Sequence, residues 1–193
     1  MIDVHIIVRT VTNPKWVEQA IASIPTDICN IYIIDGADGT DTTTINRIKG
    51  FKKGTAKYVS FVDDDDYVLN GAFERCFKFL EDNPEIAAVG TRERRLFDDG
   101  SFEEFTLDEL LPYEKGTELF EHMKWGKLHH LLILKREHVI PLLDKKEIYS
   151  SRRMIEGIKS SIAKAELKCE LLDFVGYIWR IHANNTMNNR WTK

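Results

Sequence analysis

Four consecutive carboxylates, Asp63-Asp64-Asp65-Asp66, are the residues of this sequence with the clearest chemical potential. Adjacent negative charges repel, and water or a cation must offset the repulsion. Hard divalent cations do so best, because they prefer oxygen ligands. Mg²⁺ takes one or two carboxylates and fills its remaining positions with phosphate and water; Mn²⁺ suits the same oxygens. The run points to a dication and a phosphate-bearing ligand. Charge runs are more often solvated faces. This one follows directly on the apolar stretch Tyr58-Val59-Ser60-Phe61-Val62, and the carboxyl ends of buried strands are where open α/β sheets bind ligands. A helix starting near Asn70 adds a dipole that favours phosphate.

The elements around the run alternate in period. Val4–Val8 is short and β-branched, which predicts a buried strand. Asn13-Pro14 supplies an N-cap and a first-turn proline, and Val17, Ala20, Ile21 and Ile24 share one helical face. Ile31–Ile34 reads as a second strand, entering the turn-rich Asp35-Gly36-Ala37-Asp38-Gly39. A short helix over 42–49 leads to the strand that carries the aspartates. A helix over 70–80, with Phe73, Phe77 and Leu80 inward, stops at Asn83-Pro84, and Ile86–Val89 is a fourth strand. Strands alternating with helices predict an α/β fold with a mostly parallel central sheet flanked by helices. The pattern changes near residue 92. A hairpin turns at Asp99-Gly100, a helix covers about 117–124, a strand 128–135, an amphipathic helix 150–167, and one or two strands 171–181. A single domain is expected, with residues 1–91 as a nucleotide-binding half and 92–193 as an acceptor half.

Bulk properties narrow the class. A chain of 193 residues buries about 70% of its unfolded surface and needs no disulfide to fold. Its three cysteines, Cys29, Cys76 and Cys169, form no C-x-x-C pair and read as buried thiols. A net charge of −4 lacks the basic footprint of a nucleic-acid binder. No apolar run approaches the length of a membrane span, and Met1-Ile2-Asp3-Val4 does not read as a signal peptide. A cytoplasmic protein is expected, without stable membrane insertion. Walker, dinucleotide and Ser-x-Gly fingerprints are absent.

Taken in order, the strand ending at Thr10, the strand ending at Asp35, and Phe61-Val62-Asp63-Asp64-Asp65-Asp66 resemble the family 2 glycosyltransferases with the GT-A fold. The resemblance covers residues 3–91 well and the rest loosely. It implies that Thr10 touches the nucleotide base or ribose and that Asp35 is the first aspartate of the base-binding loop. The family's next aspartate is Gly36 here, with Asp38 as a substitute if the loop is reshaped. Asp63 and Asp65 match the D-x-D pair, Asp65 as metal ligand and Asp63 or Asp64 on ribose or a bridging water. Tyr177-Ile178-Trp179-Arg180-Ile181-His182 resembles a family segment that makes His182 a second metal ligand or a pyrophosphate contact. An imidazole ligand tilts the choice between Mn²⁺ and Mg²⁺ toward manganese.

The implied reaction moves a hexosyl or pentosyl group from a nucleotide sugar, a UDP-sugar first, to an acceptor hydroxyl. If configuration inverts, a general base is needed. Glu156 is the choice, with Glu147 and Asp144 competing; Arg152 and Arg153 suit the diphosphate. Exposed helix carboxylates and solvated arginines are the ordinary reading of all five. Trp125, Tyr149, Trp179 and Trp191 are candidates for ring stacking, more often core packing. His129-His130 suits a surface or supporting role better than ligation. The alternatives are a viral transferase acting on a hydroxymethylated base in DNA, a sugar nucleotidyltransferase, and a non-catalytic metal- or glycan-binding module. The short span from Asp35 to Tyr58 fits a compact member of the family, of the kind a virus carries.

Overall fold

In the computed structural model, residues 1–36, 43–104, 130–145 and 154–183 are described. The elements in chain order are β1 (Ile2–Val8), α1 (Pro14–Ala22), β2 (Cys29–Asp35), α2 (Thr43–Phe51), β3 (Tyr58–Asp63), β4 (Tyr67–Val68), α3 (Ala72–Asp82), β5 (Ile86–Phe97), β6 (Phe102–Glu104) and β7 (Ile133–Lys135). The short α4 (Arg136–Val139) and a 3-10 turn (Ile140–Leu142) follow, then α5 (Met154–Lys164) and β8 (Lys168–Ile181).

The strands form one sheet in the order β2-β1-β3-β7-β5-β8-β4, with β6 paired to β5. The expectation of a mostly parallel sheet is corrected: the sheet is mixed. β1 runs parallel to β2 and β3, and β5 parallel to β8. β7 is antiparallel to both β3 and β5, β4 to β8, and β6 to β5. The cause is β7, a three-residue strand wholly buried between β3 and β5. An apolar run such as Leu131–Leu134 signals a buried strand, but its hydrophobicity carries no direction.

Side-chain alternation splits the core into two layers. Ile2, Val4 and Ile6 of β1 pack with Ala20, Phe73, Cys76 and Leu80 of α1 and α3. Val59 and Phe61 of β3 pack with Ile48 and Phe51 of α2 and Met154, Ile158 and Ile162 of α5. α1 begins as its sequence dictates, with Asn13 Oδ1 accepting the Lys15 N–H at 3.1 Å and Pro14 in the first turn. β5 runs to Phe97, well past the expected Val89. Its charged half stays in the sheet because β6 supplies partners: Arg94 faces Glu104 and Arg95 faces Glu103 across the hairpin. Gly100 takes the left-handed conformation that the turn requires.

A buried ion pair fastens the end of the sheet remote from the aspartates. Asp3 accepts hydrogen bonds from Asn30 Nδ2 (2.8 Å), the Ala56 N–H (2.7 Å) and Arg136 Nη2 (2.6 Å). The rest of the Arg136 fork donates to the Ala56, Phe51 and Lys53 carbonyls, so the α2–β3 connection is held by one side chain.

His5 lies on the α2 side of β1, edge-on to Phe51 at 4.6 Å. A Cβ at Gly50 would come within 2.3 Å of its ring, so glycine is what admits the imidazole there. Burial, reinforced by nearby Arg47, lowers its pKa from 6.5 to about 3. The unfolded chain therefore binds more protons than the folded chain between those values. Stability from neutral His5 is whole above 6.5 and drains as pH falls toward 3, by up to about 1.4 kcal/mol per pH unit. Denaturation free energies measured from about pH 6.5 down to about pH 5, above the ordinary carboxylate range, should fall more steeply in the wild type than in His5→Gln. Equal slopes would show that His5 does not stay neutral in the folded state.

Candidate functional site

The carboxyl end of β3 delivers the four aspartates into a tight turn, closed by the Asp66 N–H donating to the Asp63 carbonyl at 3.2 Å. Three of them are nearly inaccessible: Asp64 (1%), Asp65 (4%) and Asp66 (1%). Buried carboxylates require partners, and each has a different set.

Asp64 is a fastener between loops. Its Oδ2 accepts the Arg9 backbone N–H at 2.8 Å and the Thr12 hydroxyl at 2.6 Å, while Oδ1 accepts Arg9 Nε at 3.0 Å and Nη2 at 2.5 Å. Four donors on two oxygens leave no lone pair pointed at a ligand. Asp66 does the same for β8. It accepts the Tyr177 hydroxyl at 3.0 Å and the Arg180 N–H at 2.8 Å. Burial, with the Asp63 and Asp65 charges beside it, pushes its pKa well above the usual carboxylate range.

Asp63 is more open and meets two cations. Arg47 Nη2 of α2 sits 2.7 Å from Oδ1, its guanidinium lying over the Phe61 ring at 3.9 Å. His130 Nε2 is 3.7 Å from Oδ2. Burial opposes the Asp63 charge, but Arg47 and His130 outweigh it and hold the carboxyl well below its usual range. His130 is itself locked: Nδ1 is 2.5 Å from Glu93 Oε2, and the ring stacks on Tyr177 at 4.6 Å. Burial works against its charge too, yet Glu93 and Asp63 raise its pKa to about 10.

Asp65 Oδ2 accepts Arg9 Nη2 at 2.7 Å and lies 3.1 Å from His182 Nε2. His182 is buried, its ring 4.7 Å from Trp16 of α1. β8 is fixed here by Arg180, which donates to the Asp65 carbonyl at 2.5 Å and to Gln19 Oε1, with its guanidinium near the Tyr67 and Trp16 rings.

Two sets of ligand atoms are spaced for a cation. Asp65 Oδ2 and His182 Nε2 are 3.1 Å apart, close to the roughly 3 Å between neighbouring ligands of an octahedral ion with bonds of about 2.1 Å. Asp63, Asp66 and His130 offer three ligand atoms within 4.8 Å of one another. In the second set the Asp66 oxygens are covered by the Tyr177 hydroxyl and the Arg180 N–H, and His130 bridges Glu93 and Asp63.

Of the residues the sequence singled out, Asp63, Asp64, Asp65 and His182 converge. Thr10 is exposed in the turn after β1, and Asp35, also exposed, ends β2 opposite Val8 at the same sheet end. The glycine after Asp35 has a steric reason. A Cβ at Gly36 would meet Ile7 Cγ2 at 2.9 Å and the Val8 carbonyl oxygen at 3.1 Å. Asp144 lies elsewhere, exposed and paired with Lys52 at 2.7 Å. Glu156 is placed in α5 by its backbone alone. Asp38, Arg152, Arg153, Glu147, His129, Trp125, Tyr149, Trp191 and the helix expected at 117–124 lie outside the described residues. Sequence reasoning gave no site role to Arg9, Arg47, Glu93, Tyr177 or Arg180. Arg9 was legible in principle, being next to Thr10, as were Tyr177 and Arg180, which lie in the segment that carries His182; Arg47 and Glu93 stand in amphipathic or mixed stretches where nothing sets them apart.

A buried acidic turn at the carboxyl end of a strand, flanked by arginines and histidines, is a candidate site for a charged ligand in an α/β protein. Residues 30–139 match the family model for glycosyl transferase family 2, and the chain belongs to that family. No curated protein matches it in sequence. Among solved structures it is similar to S. aureus TarS, with a TM-score of 0.64 and 13% identity over 93% of this chain and 36% of that one. It is also similar to TarS 1–349 in complex with UDP-GlcNAc (TM-score 0.64, 14% identity, 100% of this chain and 62% of that one). The complex of that fragment with UDP gives 0.62 and 14%, over 94% and 61%. The chain thus spans between about a third and three fifths of these relatives.

The contacts separate a structural aspartate from a functional one. Asp64→Ala should lower unfolding free energy by about 3 kcal/mol or more, since it breaks a buried pair and leaves the Arg9 fork without its main partner. Asp65→Asn, isosteric and still able to accept from Arg9, should cost under about 1 kcal/mol. Urea denaturation of both variants checks this, and equal losses would refute the division of labour.

Proposed function

We propose that the chain transfers a hexosyl or pentosyl group from a nucleoside-diphosphate sugar, a UDP-sugar first, to an acceptor hydroxyl, with Mn²⁺ or Mg²⁺ bound at Asp65 and His182. Family membership supports the reaction class. The observation that carries the site is the 3.1 Å approach of His182 Nε2 to Asp65 Oδ2, two residues 117 positions apart brought together at the carboxyl end of β3. The UDP-GlcNAc and UDP complexes of the similar TarS fragment support a uridine donor. We infer a GT-A type of sheet, in which β1, β2 and β3 and the loops after them serve the nucleotide and residues 92–193 serve the acceptor.

A dication at this position would stabilise the charge that develops on the diphosphate leaving group. The chain's own residues do the rest. Thr10 and Asp35, on neighbouring loops, face the nucleoside end. Arg47 holds Asp63 ionised beside the donor site. Trp16 holds the His182 ring and Arg180 holds the backbone of Asp65, so both ligand atoms are pre-set rather than gathered on binding. Asp38, Arg152 and Arg153 remain proposed donor contacts and Glu156 the proposed base. Among the described residues no helix is long and apolar enough to cross a membrane.

Incubation with a panel of nucleotide sugars and Mn²⁺ should reveal hydrolysis or transfer with one UDP-sugar. Asp65→Asn should lower that rate by about 100-fold or more, the scale lost when a group that stabilises developing charge is removed. Undiminished, metal-dependent turnover by the variant would remove the proposal's support.

A further inference from the structure

We propose that Arg9 is a built-in competitor for the metal position, which keeps a bare dication off Asp65 and makes metal binding depend on a diphosphate arriving with it. The inference rests on the metal reading of Asp65 and His182 and adds a regulation of that site.

The geometry is specific. Arg9 is anchored on Asp64 through Nε (3.0 Å) and Nη2 (2.5 Å) to Oδ1, and through its backbone N–H (2.8 Å) to Oδ2. The same Nη2 reaches over to Asp65 Oδ2 at 2.7 Å. That oxygen is the one facing His182. A guanidinium nitrogen and a dication cannot both sit on one carboxylate oxygen without strong repulsion. Entry of the metal therefore requires Nη2 to leave Asp65, while the Nε bond to Asp64 keeps the guanidinium at the rim. The Arg9 side chain is 27% exposed against 6% for Asp65, so the guanidinium stands on the solvent side of the ligand pair. A displaced N–H fork at that rim matches phosphate oxygens. A diphosphate gives the displaced arginine a partner and the metal further ligands, so the two ligands favour one another; by linkage, each raises the other's affinity by the same factor.

The test counts free Mn²⁺ by electron paramagnetic resonance in titrations of the full chain, with and without UDP. Arg9→Gln removes the charge and keeps an amide for Asp64. It should bind Mn²⁺ alone about tenfold more tightly than the wild type, and the enhancement by UDP should shrink by a similar factor. Unchanged or weaker Mn²⁺ affinity in Arg9→Gln overturns the inference. Should that variant fail to fold, Arg9→Met decides. Its uncharged side chain places no cation on Asp65, so Mn²⁺ alone should bind more tightly than to the wild type, and equal affinity overturns the idea. Asp65→Asn separates the two levels. Mn²⁺ binding that depends on Asp65 but not on Arg9 sinks this inference alone. Binding that survives Asp65→Asn, or no binding even with UDP, sinks the metal reading and this inference with it.

Discussion

Mutual repulsion among four carboxylates in one turn is the constraint around which this structure is arranged. Three of them are nearly inaccessible to water, so solvation cannot offset the repulsion and the protein must. Arg9 comes from the β1–α1 loop, Arg47 from α2, His130 from the approach to β7, Tyr177 and Arg180 from β8, and His182 from the residue after it. Segments from both the early and the late part of the described chain thus contribute positive charges or donors to one spot. Electrostatic satisfaction, as much as apolar packing, explains why β8, late in the chain, lies where it does.

Satisfaction is uneven, and the unevenness separates scaffold from site. Asp64 and Asp66 have their oxygens covered by donors from β1 and β8 and act as cross-links between the early and late parts of the chain. Among the described residues, Asp63 and Asp65 instead meet only side chains, arginine guanidiniums and imidazoles. The D-x-D spacing has a local cause here. In the tight turn closed by the Asp66 N–H on the Asp63 carbonyl, neighbouring carboxylates take different surroundings, and Asp64, between Asp63 and Asp65, turns back into the protein.

Much of the first half was legible in the sequence because its signals are local. β-branched runs, the Asn13-Pro14 helix start and the Asp99-Gly100 turn each encode an element through short-range sterics and hydrogen bonding. The aspartate run stood out because charge next to an apolar strand is unusual. The direction of β7 was not legible, since three apolar residues pair equally well either way and only tertiary context chooses. Nor was the extent of β5, where charges that read as the edge of an element are paired across the hairpin with Glu103 and Glu104. His130 shows the same limit. An imidazole between leucines and a histidine gives no sign of Glu93, 37 residues earlier, which fixes its charge.

The mixed sheet then acquires a functional meaning. A purely parallel continuation from β3 would need a crossover before the next strand. Inserting β7 antiparallel next to β3 instead lets β5 lie one position further out and β8 beside it, parallel to β5. In that arrangement the far end of β8 reaches the acidic turn, as β4 pairing with Tyr177 and Ile178 shows. Tyr177, Arg180 and His182 lie close together at that end, and each reaches a different part of the turn: Asp66, the Asp65 backbone and the Asp65 side chain. One strand therefore both extends the sheet beside β5 and leads His182 to Asp65. In a short chain this economy ties the site to the fold: a change that shifted β8 by one residue would exchange the inward and outward faces and part His182 from Asp65.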